Sequence, residues 1–422
     1  MNFFRVIVSS ILFVACFHAR TANGSAAGTQ TLRHDAYVWQ RVWNEPVRQA
    51  VVAYGTNFSE LIALHTEVSW KNGRPDVVRV PINWPALTNC GSSIGLALRI
   101  GPFSRPFATN DSITKMLLKL ASSMVAEAKT NGVPVRELQL DFDCAESKLE
   151  GYRLWVQSVR QAVAPVPLTI TALPSWLKQP AFERLVSATD GYVLQVHSLE
   201  KPNDFNAPFT LCDPVAARVA VERAGRINVP FRVALPTYGY LIAFSSTGRF
   251  MGLSAEGPLP NWGTNVRVRE VRSDPLAMAE LVQFWTRNRP ASMCGVIWYR
   301  LPTIVDNLNW RWPTLGAIVG SRSLRESFRS ELRRVEPGLV EINLVNNGEL
   351  DLSSRLAIEL RWQDARLVAG DALRGFEMVE SGISAAKFQT RSTLRLMSGD
   401  SRVVGWLRFD KDCEVQIETK KF

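Results

Sequence analysis

The chain has 422 residues, of which 46% are hydrophobic and 21% charged. That describes a globular protein with a sizeable core, too long for one small domain, and a unit of about 250–300 residues plus a smaller one is the natural expectation. The formal charge is +10, but the arginines are spread along the chain and no nucleic-acid motif accompanies them. Nucleic acid is therefore not an expected partner, and attraction to anionic envelope polymers fits the basic balance better.

The only strongly apolar run lies at the amino terminus, from Val6 to Phe17, preceded by Arg5. It is too short to span a bilayer comfortably and has the layout of a secretory signal, with small residues Ala22 and Gly24 at the cleavage region. Residues 1–24 are thus expected to be a signal peptide, and its removal takes away Arg5 and Arg20, so the charge becomes +10 − 2 = +8. A second option is Cys16 after Phe13-Val14-Ala15, which loosely resembles a lipoprotein box. Export to the periplasm or the extracellular space is expected, with membrane contact only through a lipid anchor at Cys16. The other cysteines are Cys90, Cys144, Cys212, Cys294 and Cys413. No paired Cys-x-x-Cys spacing is present, so neither a zinc site nor any other metal is expected. Cys144 and Cys212 both follow strand candidates and could pair in an oxidising compartment.

From residue 35 onward strand-like and helix-like stretches alternate. Strand candidates are 36–42, 61–64, 95–100, 138–143, 168–172, 192–197, 231–235 and 295–299, with amphipathic stretches clearest at 113–130, 149–163, 214–224 and 275–288. Asp111, Asp213-Pro214 and Asp274-Pro275 supply helix starts, and Gly132 followed by Pro134 supplies a stop. Eight such repeats predict a (β/α)8 barrel over residues 33–320, closing with a helix at 313–319; an open doubly wound sheet is the alternative. No Gly-x-Gly-x-x-Gly follows the first strand candidate, which argues against a dinucleotide, and no cofactor is expected. Residues 321–337 are arginine-rich and read as a helical or extended linker. Beyond them come short alternating runs at 340–345, 356–361, 392–397, 403–409 and 413–418, with turns at Asn347-Gly348 and Gly399-Asp400. Residues 338–422 are therefore expected to be a small C-terminal β-sandwich, an accessory domain that binds a polymer or packs beside the barrel mouth.

The most informative segment is Leu138-Gln139-Leu140-Asp141-Phe142-Asp143. As a strand it puts Gln139, Asp141 and Asp143 on one face and three apolar residues on the other. Unpartnered buried carboxylates are costly, so such a row suits a site, with a solvated edge strand as the plain alternative. A barrel places its ligand face at the carboxyl ends of its strands. Collecting those positions adds Trp39, Arg99, Gln195, His197, Tyr238 and Trp298. Hydrogen-bonding groups ringed by aromatic faces suit a sugar, although tryptophans such as Trp43, Trp176, Trp262, Trp310 and Trp312 could equally be packing. His197 could be a proton shuttle or a satisfied core histidine. Arg99 reads as a partner that neutralises Asp141 or Asp143. Glu146 reads as a helix cap, while Glu200, Asp204 and Asp306 are candidates for a second carboxylate.

The segment 138–144, with Tyr37-Val38-Trp39-Gln40-Arg41 upstream and Gly405-Trp406-Leu407-Arg408 near the end, resembles a family of exported bacterial proteins known only as a domain of unknown function. More distantly it is similar to the chitinase-like family 18 glycoside hydrolases, whose fourth strand reads Asp-x-Asp-x-Glu and whose eighth carries a tryptophan beneath the sugar. Asp141 and Asp143 match the two aspartates and Trp298 the tryptophan. The family's catalytic glutamate falls on Ala145, with Glu146 one residue off, and its Tyr-Asp pair on the sixth strand falls on His197-Ser198. The resemblance thus implies a barrel and a carbohydrate site without that family's substrate-assisted chemistry.

Together these features predict an exported glycoside-hydrolase-like barrel acting on a polysaccharide or glycan. Asp143 would be the general acid, its pKa raised by the neighbouring Asp141. Asp141 would hold charge and geometry, Gln139, Gln195 and His197 would bind hydroxyls, and Trp298 would floor the site. The alternative is a non-catalytic glycan-binding or envelope interaction protein on a degenerate barrel.

Overall fold

Eight parallel strands close on themselves: β1 (Arg33–Val38), β2 (Glu60–Lys71), β4 (Ser93–Ile100), β5 (Val135–Phe142), β6 (Leu168–Ala172), β7 (Gly191–Gln195), β8 (Phe231–Pro236) and β12 (Met293–Tyr299). Closure is made by β1, which pairs in parallel with both β12 and β2. The computed structural model describes residues 31–142, 144–255 and 260–422. The signal peptide and Cys16 expected from the sequence lie outside those residues, and so does Asp143. Among the described residues no helix is long and apolar enough to cross a membrane.

Each strand of the sequence reading is a barrel strand, most with ends shifted by a few residues. The β6 strand is buried along its whole length, as expected of a parallel sheet covered on both faces. The helices that cover it are α1 (Glu45–Tyr54), α2 (Trp84–Thr88), α3 (Ser112–Thr130), α4 (Leu149–Val163), α5 (Pro180–Val186), α6 (Pro214–Ile227), α7 (Pro275–Arg287) and α8 (Trp312–Val319). In α3 the buried residues Ile113, Leu117, Leu120, Ala121, Met124 and Ala128 fall on one stripe, which seats the helix against the sheet. Capping follows the sequence signals: the carboxylates of Asp111, Asp213 and Asp274 accept backbone N–H groups at the starts of α3, α6 and α7.

Two additions to the barrel were not foreseen. A strand β3 (Arg74–Arg79) turns back antiparallel on the long β2. After β8 the chain makes a separate antiparallel sheet from β9 (Gly239–Ser245), β10 (Phe250–Ser254) and β11 (Val266–Arg272), with β9 in the middle. One face of this sheet carries Tyr240, Ile242 and Phe244, which pack with Leu211 and Tyr238 in a small core of their own.

The C-terminal part is a β-sandwich. One sheet is built from β13 (Phe328–Glu336) and β14 (Leu339–Asn346), and the short β15 (Leu352–Ser354), β16 (Leu356–Trp362), β17 (Leu367–Ala372), β18 (Phe376–Ser381), β19 (Ala385–Thr390), β20 (Leu394–Leu396), β21 (Ser401–Phe409) and β22 (Val415–Lys421) complete the set. The sheets run β13-β14-β21-β17 and β18-β19-β16-β22, with Ile342, Leu344, Ile358, Leu360, Phe388 and Leu407 buried between them. Of the arginine-rich stretch 321–337, then, the second half is the first strand of the sandwich, extended and paired. Arg395 ties the sandwich to the β9–β11 sheet, with a contact of 2.7 Å to Glu270 besides its pairing with Asp351.

Cys212 is a free thiol, so its expected pairing with Cys144 does not form; Cys90, Cys294 and Cys413 are free as well.

Candidate active site at the barrel mouth

The inward residues of the strands stack in layers along the barrel axis. At the amino-terminal end, Arg232 is buried and donates to Asp35 at 3.0 Å and to Glu137, with Glu60 3.6 Å away. Arg33 adds contacts of 2.9 Å to Asp35 and 2.6 Å to Glu60. Gly95 leaves room at this level, because a Cβ there would collide with Ile62 Cδ1 and stand 3.0 Å from Glu137 Cγ and 3.1 Å from Glu60 Oε1. Burial and the nearby Glu137 charge push Glu60 up to about 7. Burial alone would lower the Arg232 pKa, but the charges of Glu137 and Asp35 reverse this and raise it.

Above that layer come Tyr37, Ile62, Ala97, Val193, Ala234 and Ile297, all buried. Gln139 belongs to the same level and is fully buried. It accepts from Tyr37 Oη at 2.7 Å and reaches Thr169 Oγ1 at 3.4 Å. It is therefore a hydrogen-bonded floor residue beneath the mouth, not among those that line the cavity.

At the carboxyl ends the packing opens into a cavity of about 230 Å³. Its polar side is made by Asp141, Arg99, Thr171, Gln195 and His197. Asp141 accepts from Arg99 Nη1 at 3.0 Å and from Thr171 Oγ1 at 2.8 Å. Arg99 in turn lies 3.9 Å from Glu67, which is held by Arg41. Gln195 Nε2 donates to the His197 carbonyl at 3.2 Å. His197 is 4% exposed, and its Nδ1 stands 3.1 Å from Tyr238 Oη. From there a chain of hydroxyls continues, Tyr238 to Tyr240 at 3.2 Å and Tyr240 to Ser198 at 2.7 Å. Ser198 holds φ at 56°, a left-handed conformation uncommon for a residue with a side chain.

Burial lowers the His197 pKa to about 3, so at neutral pH the ring is uncharged. Burial likewise raises the pKa values of Tyr37, Tyr238 and Tyr299, which keeps their hydroxyls protonated. The aromatic side of the cavity is Trp39, Tyr37 and Tyr299, packed on one another with ring centroids 5.1–5.7 Å apart.

Trp298, expected to floor the site, lies elsewhere. Its side chain is fully buried on the outer face of the barrel, donates from Nε1 to His34 Nδ1 at 3.0 Å and packs on Trp310. The cause is parity: Ile297 and Tyr299 point into the barrel, so the residue between them points out. The strand thus contributes Tyr299 to the cavity, one residue later. Trp43, Trp176 and Trp310 are also outer core, and Trp312 stacks on Tyr54 of α1. Of the tryptophans considered from the sequence, only Trp39 lines the cavity.

Glu146, Glu200, Asp204 and Asp306 do not line the cavity. Glu146 accepts from Gln179, Asp204 accepts the backbone N–H groups of Asn206 and Ala207, and Glu200 is exposed. Asp306 is held by Arg300 at 2.8 Å and by the Thr303 N–H. It borders an outer cleft of about 660 Å³ that shares Trp39, Arg99, Tyr238 and Tyr299 with the inner cavity. Among the described residues, Asp141 is the one carboxylate that lines the inner cavity. No cluster of three or more His, Cys, Asp or Glu side chains suited to a metal ion occurs among them.

Eight parallel strands closed into a barrel and covered by helices, with a cavity at the carboxyl end, define a (β/α)8 fold, and solved structures are similar to it. The C-terminal domain of a putative chitinase from Desulfitobacterium hafniense DCB-2 is similar at 11% identity and a TM-score of 0.50, over 69% of this chain and 99% of that one. A chitinase from Chromobacterium violaceum ATCC 12472 gives 12% identity and a TM-score of 0.48 over 69% and 98%. The spore cortex-lytic enzyme SleL of Bacillus cereus gives 13% and 0.47 over 65% and 72%. At such identities the likeness is one of fold. Residues 109–304 match the family described as "Domain of unknown function (DUF3142)", as the segment 138–144 suggested, and residues 330–410 match "Domain of unknown function (DUF8456)". Curated proteins give no match.

Proposed function

We propose that this barrel takes a glycan into its mouth and hydrolyses it, with Asp143 as the general acid. The observation that carries the glycan part is the inner cavity itself. A charge-paired carboxylate, an amide and an uncharged imidazole converge there opposite a wall of Trp39, Tyr37 and Tyr299. Aromatic faces suit the C–H surfaces of a pyranose, and the fixed polar groups suit its hydroxyls. In this reading Asp141, oriented by Arg99 and Thr171, supplies the negative charge that keeps its neighbour two residues on protonated and that steadies an oxocarbenium-like centre. Gln195 and His197 hold hydroxyls, while Gln139 acts from beneath by fixing Tyr37. The chain would work after export, as its amino-terminal apolar run suggests.

A second reading, a glycan-binding barrel without turnover, is favoured by a specific observation. The position of the chitinase-type glutamate is Ala145, and Asp141 is the one described carboxylate lining the cavity. The deciding experiment is reducing-end release from a panel that includes chitin, peptidoglycan and plant glucans, comparing wild type with Asp143→Asn. Release by wild type and a loss of 10²-fold or more in the variant is the expected result. Binding without release by either protein would retire Asp143 as an acid and leave recognition. No release and no binding would remove the glycan reading.

A further inference from the structure

We infer that the site recognises the end of a glycan chain: the inner cavity takes one terminal sugar residue and the outer cleft the residues joined to it. The inference rests on the glycan reading above and concerns how the ligand enters. Seven of the eight barrel strands, or the residues directly after them, contribute to the inner cavity, all but β2. A groove that a polymer could lie across would be walled on two sides and open at both ends. This space is walled around its circumference.

It is also closed below. Val193 and Ala234, which line it, are 0% and 3% exposed, and Tyr37 beside them is locked onto the fully buried Gln139. At the same level Ile62, Ala97 and Ile297 fill the rest of the barrel, and the Arg232 cluster lies at the far end. The remaining way out is upward, where the outer cleft shares Trp39, Arg99, Tyr238 and Tyr299 with the cavity.

The size agrees with a single ring. The cavity, at about 230 Å³, falls below the ~300–1,000 Å³ of pockets that enclose drug-sized ligands. The outer cleft, at about 660 Å³, has room for more than one further residue. An internal residue of a polysaccharide carries linkages at two positions of its ring and needs two exits. A terminal residue needs one, and its free hydroxyls can meet Asp141, Gln195 and His197 where a second linkage would otherwise have to pass.

The test uses β-1,4-linked N-acetylglucosamine and glucose oligomers of one to six residues, titrated against the full chain. Each series includes a form with the reducing end reduced to the open-chain alditol and a form with the 4-hydroxyl of the non-reducing end methylated. The expected result is an affinity that climbs over the first few residues and then levels off. One of the two end modifications should weaken binding at least ten-fold while the other leaves it unchanged. Ala234→Leu, which builds into the cavity from its floor, should cost at least ten-fold as well, and the modified ligands test the same point on the unaltered protein should that variant fail to fold. Equal binding of both modified forms, with affinity still rising to six residues, would overturn chain-end recognition and leave the glycan reading intact. Absence of binding by every oligomer, and by every glycan of the panel above, would overturn both.

Discussion

The two ends of the barrel interior use the same chemistry for different purposes. At the amino-terminal end Arg232 and Arg33 face Asp35, Glu60 and Glu137, and Gly95 stands where a side chain would collide with Ile62 and crowd Glu137 and Glu60. At the carboxyl end the pair of Arg99 and Asp141 stands at the wall of an open cavity. Buried ion pairs are weak contributors to net stability when complete and expensive to break. Where the pairs fill the space they fix how the strands meet. Where they leave space beside them, a cavity remains.

Three measurements would break or sharpen that contrast. The largest effect is expected from Arg232→Met, which takes the guanidinium from Glu137 and leaves Asp35 and Glu60 to the half-exposed Arg33, and should cost about 3–5 kcal/mol of unfolding free energy in urea titrations. A loss under about 1 kcal/mol would mean that the lower cluster is not the structural end. The next concerns Glu60, whose pKa is raised from 4.5 to about 7 by burial and by Glu137. Because the folded state holds that proton more tightly than the unfolded chain, the associated stability is full below pH 4.5 and is lost as pH rises towards about 7. Wild type should therefore lose on the order of 1–3 kcal/mol between pH 5 and pH 8, and Glu60→Gln should flatten the slope. Equal slopes in the two proteins would assign the pH dependence to other groups. The smallest change in stability belongs to Asp141→Asn at the mouth, about 1 kcal/mol, since Arg99 also faces Glu67 and the Thr171 hydroxyl can still donate to an amide oxygen. A destabilisation as large as that of Arg232→Met would make the two ends alike.

Much of this architecture is legible in the sequence because burial on both faces leaves apolar runs that stand out, as in residues 168–172 and 231–235. Strands with little burial leave no such trace. Residues 74–79 carry a proline and are mostly exposed, and 266–272 alternate valine with arginine and glutamate on a sheet outside the barrel. The sandwich strands 367–372 and 376–381 are half-exposed for the same reason and escape notice. In the candidate site, the inward face of Gln139 and Asp141 can be read from period-two alternation alone, and the Arg99–Asp141 pairing from charge. Trp298 is the exception: the resemblance points to the tryptophan, whereas counting from Ile297 puts Tyr299 inside. The lower ionic layer had a signal too. Asp35, Glu60, Glu137 and Arg232 each lie at or near the start of their strands, where ionisable residues belong together or not at all.

The burial that leaves His197 with a pKa of about 3 and holds three tyrosine hydroxyls above their ordinary value also sets the chemical character of the cavity wall. Its walls of imidazole and phenol present the same donors and acceptors in mildly acidic and in alkaline surroundings. In the proposed glycan reading, a ligand would meet these neutral groups unchanged between mildly acidic and alkaline pH, beside the charged Arg99–Asp141 pair.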